Sequence, residues 1–143
     1  MFGKILLAFD GSEHSLKAAE YAIKLAQIDH AHVEILHVVS SEKRYMRDSA
    51  ALTASIKEEH MKEAEKIIAQ GVEKFKDSGV QYSTKILLGD VGDPADEICT
   101  EAKQNDVKII VMGSRGLNPL TRLLGSVSNK VLSHAHCPVL IVR

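Results

Sequence analysis

Five short apolar runs, separated by stretches of helical period, constrain this chain more than any other feature. Residues 5–9, 33–39, 80–88, 107–112 and 138–142 each read as a strand. The first is apolar at every position, the pattern of a strand covered on both faces of a parallel sheet. Ser12 is a good N-cap for the first helix, whose Leu16, Ala19, Ala22, Ile23 and Ala26 form one stripe. The longest helix covers about 51–77, with Leu52, Ile56, Ala64, Ile67, Ile68, Val72 and Phe75 inward and Ser78 and Gly79 as its stop. Asp93 as N-cap and Pro94 at the first position open a third helix, with Ile98 and Ala102 facing the core. A fourth covers 126–135. The order β-α-β-α-β-α-β-α-β with short connections predicts an open α/β fold: a parallel sheet, helices on both faces and right-handed crossovers. No linker, repeat or low-complexity tract interrupts it, and 143 residues suffice for one domain with its own core.

Composition removes several function classes. A net charge of −1 leaves no electrostatic footprint for nucleic acid or an anionic membrane. Three Phe, three Tyr and no Trp argue against a base-stacking platform. The apolar runs are far too short for a membrane span. The first strand begins within a few residues of Met1, which leaves no room for a signal peptide and points to the cytoplasm. Cys99 and Cys137 form no Cys-x-x-Cys pair; they read as small packing residues, with a redox role as the alternative. His134, His136 and Cys137 read either as a helix end that favours His or as part of a zinc site for which no second ligand group is visible.

Open α/β sheets bind ligands beyond the carboxyl ends of their strands, where strand order reverses. The loop after the fourth run carries Gly113, Gly116 and Gly125, and Ser126 and Ser128 open the helix that follows. Glycines let backbone N–H groups approach an oxyanion, and a helix N-terminus adds unpaired donors and partial positive charge. The segment reads as a phosphate cradle, although neither Gly-x4-Gly-Lys-Ser/Thr nor an early Gly-x-Gly-x-x-Gly is present. Ser114, Ser126 and Ser128 read as donors to phosphate rather than nucleophiles. Asp10 suits a ribose hydroxyl or a phosphate-bound Mg²⁺, or else an Asx-turn with Gly11 and Ser12. The backbone after Val38 could meet an adenine edge, as many strand ends could. Arg115 and Arg122 could neutralise phosphate, but an exposed Arg is solvated by default and both are left outside the site. No triad or base-and-water pairing is spaced for catalysis, so any turnover should be slow.

These residues add up to a resemblance. The chain resembles the universal stress proteins from end to end, through Lys-Ile-Leu-Leu-Ala-Phe-Asp-Gly-Ser at 4–12, Leu-His-Val-Val at 36–39 and Met-Gly-Ser-Arg-Gly at 112–116. Leu-Leu-Gly-Ser-Val-Ser at 123–128 and Cys-Pro-Val-Leu-Ile-Val-Arg at 137–143 also match. The resemblance implies a five-stranded parallel sheet of order 3-2-1-4-5, Rossmann-like and of the adenine nucleotide α-hydrolase-like type. It implies a homodimer built along the last strand, through Val139, Leu140, Ile141 and Val142. In one branch it implies ATP held by Gly-x2-Gly-x9-Gly-Ser/Thr. On that match Gly113, Gly116, Gly125 and Ser126 touch ribose and phosphates, and Val127 adds a backbone N–H. Asp10 then sits by the ribose or Mg²⁺, Ala8 and Met112 line the pocket, and Val38 meets adenine.

The expected function is thus a dimeric, ATP-binding stress-response regulator. The alternative is a nucleotide-independent interaction module, using its surface or the charged stretch 40–49 that carries Lys43, Arg44, Arg47 and Asp48. One departure matters. Eight residues, 117–124, separate Gly116 from Gly125 where the family's ATP pattern has nine. A deletion there either tightens the loop or rotates the helix start by about 100°. The last strand, expected at the sheet edge, needs a cover. Pairing with its own copy supplies one; the preceding helix is the alternative.

Overall fold

A computed structural model describes residues 1–39, 50–88, 93–115 and 124–143, with backbone alone from 50 to 56. The stretch 40–49, Gly116, Arg122 and the side chains of Leu52 and Ile56 lie outside the described residues. The strands are β1 (Lys4–Ala8), β2 (His32–Val39), β3 (Tyr82–Leu88), β4 (Ile109–Gly113) and β5 (Val139–Val142). Between them run α1 (Glu13–Asp29), α2 (Ala50–Phe75), α3 (Pro94–Gln104) and α4 (Ser126–His134). All pairings are parallel and the sheet order is β3-β2-β1-β4-β5, the order that the resemblance implies.

That order follows from the direction of winding. The chain steps outward from β1 to β2 and β3, then returns past β1 to β4 and β5. With crossovers of one hand, α1 and α2 cover one face of the sheet and α3 and α4 the other. Strand β1, in the middle, divides its side chains accordingly. Ile5, Leu7 and the following Phe9 face α1 and α2, while Leu6 faces α3 and α4. Each such buried apolar side chain contributes about 1.5–3 kcal/mol. Phe9 lies just past the strand, yet its N–H still donates to Leu36 O at 2.8 Å.

Several boundaries differ from the sequence reading. The buried residues of α1 are Ser15, Ala18, Ala19, Ala22 and Ala26, with Leu16 and Ile23 only partly buried against the core. The small residues mark the line along which α1 comes closest to the sheet, and the larger ones cover its flanks. Helix α2 ends at Phe75 rather than 77, because Asp77 already takes φ 63° and Ser78 Oγ donates to Phe75 O at 2.6 Å. His30 closes α1 with φ 51°, and Asp106 turns the chain after α3 with φ 54°, so polar residues rather than Gly take these left-handed positions. Strand β3 begins at Tyr82 and β4 at Ile109, each two residues later than expected. Among the described residues no helix is long and apolar enough to cross a membrane.

Candidate functional site

Strand order reverses between β1 and β4, and at their carboxyl ends lies a cavity of about 460 Å³. Small-molecule sites span roughly 300–1,000 Å³. Strand β1 and the turn after it bring Ala8 and Asp10 to its wall, β2 brings Val38, and β4 brings Met112 and Gly113. The start of α4 brings Gly125, Ser126 and Val127. All the expected site residues therefore share one wall system except Gly116, which lies outside the described residues.

The first turn of α4 is the chemically distinctive part. Its N-cap is Gly125, in extended backbone at φ −62° and ψ 158°, and no side chain caps the helix. An uncapped first turn presents its amides, with the positive end of the helix dipole, to whatever fills the cavity. The helix start is fixed by two bonds to one carbonyl: Gly125 N–H donates to Ser114 O at 2.8 Å, and Ser128 Oγ donates to the same oxygen at 2.9 Å. These bonds bear on the shortened 116–125 spacing. Whatever path 116–123 takes outside the described residues, the α4 start is tied to the end of β4 and faces the cavity.

The middle of α4 is tied to the start of α3. Lys130 Nζ lies 3.1 Å from Asp93 Oδ2 and 3.2 Å from Asp96 Oδ2. Asp93 also caps α3, accepting from Ala95 N at 2.9 Å. That amide, followed by the Lys130 ammonium, holds the Asp93 carboxyl below the usual carboxylate range.

Four residues turn out to have structural duties that the sequence does not announce. A Cβ on Gly113 would stand 2.7 Å from His14 Cβ and 2.9 Å from the His14 carbonyl carbon, so this glycine is required by the packing of α1 on β4. Asp10 Oδ1 accepts from Ser12 N at 2.9 Å, the Asx-turn alternative, while Asp10 still lines the cavity. Ser128, expected as a phosphate donor, is buried and spends its hydroxyl on Ser114 O. Ser114 is likewise buried, with its Oγ 2.8 Å from His14 Nδ1. Ser126 is the serine of this group that remains exposed.

Four polar residues of the wall were not among the expected site residues: Ser12, Ser15, His37 and Arg115. His37 is buried on β2 and its Nδ1–H donates to Phe9 O at 2.8 Å, bracing the turn that carries Asp10. Its signal was a lone polar residue among Leu and Val. Arg115, set aside as solvated, lines the cavity and lies 3.3 Å from His14 Nε2. Pro94 and Ile98 close the wall from α3, which only the tertiary packing reveals.

His134 Nδ1–H donates to Lys130 O at 2.9 Å in the last turn of α4. No group of three or more metal-ligating side chains occurs among the described residues. Burial pushes the Cys99 and Cys137 thiols up, which keeps them protonated and poorly nucleophilic, and both pack against the α3–α4 core.

Comparisons with known proteins show the family and the fold. The model of the universal stress protein family matches residues 1–143. Universal stress protein YxiE of Bacillus subtilis is 40% identical over 154 residues, covering all of both chains. The chain belongs to the universal stress protein family. UspA of Lactobacillus plantarum, 27% identical, superposes at a TM-score of 0.81 over 99% of this chain and 98% of its own. A universal stress protein of Archaeoglobus fulgidus in complex with dAMP is 21% identical and superposes at 0.75 over 100% of this chain and 98% of its own, a likeness of fold.

Proposed function

We propose that this family member binds an adenine nucleotide, ATP with Mg²⁺ first among them, and acts as a dimeric stress-response regulator that signals by occupancy. The observation that carries the proposal is the uncapped α4 N-terminus facing a cavity at the sheet's switch point. Solved family structures that share the fold hold dAMP, cAMP and AMP, which supports the choice of an adenine nucleotide. In this reading the Ser126 and Val127 amides and the Ser126 hydroxyl take the phosphates, together with Gly113, Gly116 and Gly125. Ala8 and Met112 pack on the base and ribose, and Val38 meets adenine. Asp10 has one carboxylate oxygen in its Asx-turn and offers the other to ribose or Mg²⁺.

Calorimetric titration of nucleotide-free protein with MgATP and with AMP tests the proposal. Saturable heat supports it, and no heat up to about millimolar nucleotide defeats it in favour of a nucleotide-independent interaction module. A substitution sharpens the test. Gly125 has a backbone conformation that any residue adopts, and a Cβ there meets nothing closer than 3.4 Å. Gly125→Asp is therefore expected to cap α4 and stabilise the fold by about 0.5 kcal/mol. The same carboxylate occupies the amides and repels phosphate, so nucleotide affinity is expected to fall by about tenfold or more. Unchanged affinity would show that the α4 terminus is not the phosphate site.

The dimer forms, in this proposal, along β5. That strand is last in the sheet order, and Val139, Leu140 and Ile141 are only partly buried. Val142 is buried in the chain's own core and contributes backbone alone. Light scattering after gel filtration is expected to give twice the 15.7 kDa of one chain. A single-chain mass at micromolar concentration would refute the pairing.

A further inference from the structure

A second, smaller cavity of about 210 Å³ lies on the α1 side of the segment that ends β4. Its walls are His14 and Lys17 from the first two turns of α1, Ser114 and Arg115 after β4, and Arg143 after β5. Three cationic side chains thus converge from three elements, and no Asp or Glu is among the described residues that line the cavity. This is unusual for a chain whose net charge is −1. The volume holds about seven waters, enough for one hydrated tetrahedral anion and too little for a nucleoside.

The cavity's hydrogen bonds have one consistent assignment. Arg115 Nη2 lies 3.3 Å from His14 Nε2, and a guanidinium only donates, so Nε2 is the acceptor. The imidazole proton is then on Nδ1, which donates to Ser114 Oγ at 2.8 Å. His14 is thus a strut between Ser114 and Arg115. Ser114, 3% exposed, keeps its hydroxyl hydrogen as a donor. Arg115 also lines the larger cavity, so one guanidinium stands between the two.

We propose that this cavity binds a single phosphate group, at a site separate from the α4 cradle. A dianion there offsets the mutual repulsion of Lys17, Arg115 and Arg143, and the planar guanidinium forks match its oxygens. The phosphate has two chemical sources: free inorganic phosphate, or the distal phosphate of a nucleotide held in the neighbouring cavity and reaching past Arg115. The first source is independent of the nucleotide reading and the second rests on it.

The test is calorimetry on nucleotide-free protein with inorganic phosphate, AMP and MgATP at matched ionic strength. It compares wild type with Lys17→Glu, Arg143→Glu and Gly125→Asp, each checked for native circular dichroism. For the free-phosphate source, inorganic phosphate binds saturably to wild type and to Gly125→Asp protein, and each charge reversal weakens it by about tenfold or more. For the nucleotide source, inorganic phosphate alone gives no heat, while Lys17→Glu and Arg143→Glu weaken MgATP by about tenfold and leave AMP unchanged. Either pattern supports the site. The proposal is overturned if neither charge reversal changes the affinity for phosphate or MgATP. It is equally overturned if Gly125→Asp abolishes phosphate binding while Lys17→Glu leaves it intact, because the anion then sits at α4. A failure of AMP and MgATP to bind wild type, with phosphate still responding to Lys17, defeats the nucleotide reading alone.

Discussion

Gly113→Ala is expected to lower the unfolding free energy by about 3 kcal/mol, and Gly113→Val by more. Removing a strand glycine normally gains about 0.5–1 kcal/mol in backbone entropy, so the sign depends on what the new Cβ meets. It meets His14 Cβ at 2.7 Å, the His14 carbonyl carbon at 2.9 Å and Ser15 N at 3.0 Å. Two of these are backbone atoms of the first turn of α1 and cannot rotate aside. The helix must move off β4, and with it the alanine face, Ala18, Ala19 and Ala22, that packs nearest the sheet. The displacement also strains the His14–Ser114 bond, and hence the Ser114 carbonyl that fixes the α4 start. Chemical denaturation followed by circular dichroism measures the loss. Gly3→Ala, where a Cβ meets nothing within 4 Å, is the control. A loss below about 1 kcal/mol for Gly113→Ala would mean that α1 is not packed this closely on β4.

Glu34→Gln is expected to stabilise the protein at neutral and alkaline pH by about 1–3 kcal/mol, with no gain in acid. Glu34 stands in the middle of β2, between Leu6 of β1 and Ser83 of β3, on the face covered by α3. It is 7% exposed, and its Oε1 is buried with no hydrogen-bond partner. Facing it from α3 is Glu101, 5% exposed, which accepts from Lys85 Nζ at 2.7 Å and Asn105 Nδ2 at 2.8 Å. Lys85 and Asn105 satisfy Glu101, and Glu34 Oε1 is the oxygen left over. Burial first, then the Glu101 charge and a shared hydrogen bond, raise its pKa, and Lys4 and Lys85 offset this only in part.

The sign follows from linkage. The folded state holds the Glu34 proton more tightly than the unfolded chain, whose pKa is near 4.5. The proton's stabilising effect is therefore complete below that value and is lost as pH rises through the higher folded pKa. An amide stays neutral, so the advantage of Gln over Glu grows across that window and then levels off. At about 3 °C in Tm per kcal/mol for a chain of this size, scans of both proteins at about pH 4 and about pH 8 resolve the difference. A shift equal at both would show that the Glu34 proton is not what changes.

The periodicities of 5–9 and 33–39 and the caps Ser12 and Asp93 are local signals, and the strands and helices formed where those signals stood. The glycine loop pointed to the end of β4, and the cavity is there. By contrast, Gly113 looked like a ligand glycine and is required by helix packing. Ser128 looked like a phosphate donor and is the bolt between α4 and Ser114. Arg115 was left outside the expected site and His37 was not singled out, and both stand on the cavity wall.

The division has a physical basis. Backbone dihedral preferences, caps and apolar periods act over a few residues, so the sequence by itself determined the elements, their order and, through the motif resemblance, the family. Which side chain meets which across the sheet depends on contacts between positions a hundred residues apart, such as His14 with Ser114 and Arg115. Such pairings carry no periodic signature. Only the tertiary structure decided that one carbonyl fixes the α4 terminus, that one carboxyl oxygen of Glu34 is buried without a hydrogen-bond partner, and that three cations share a cavity beside the proposed nucleotide site.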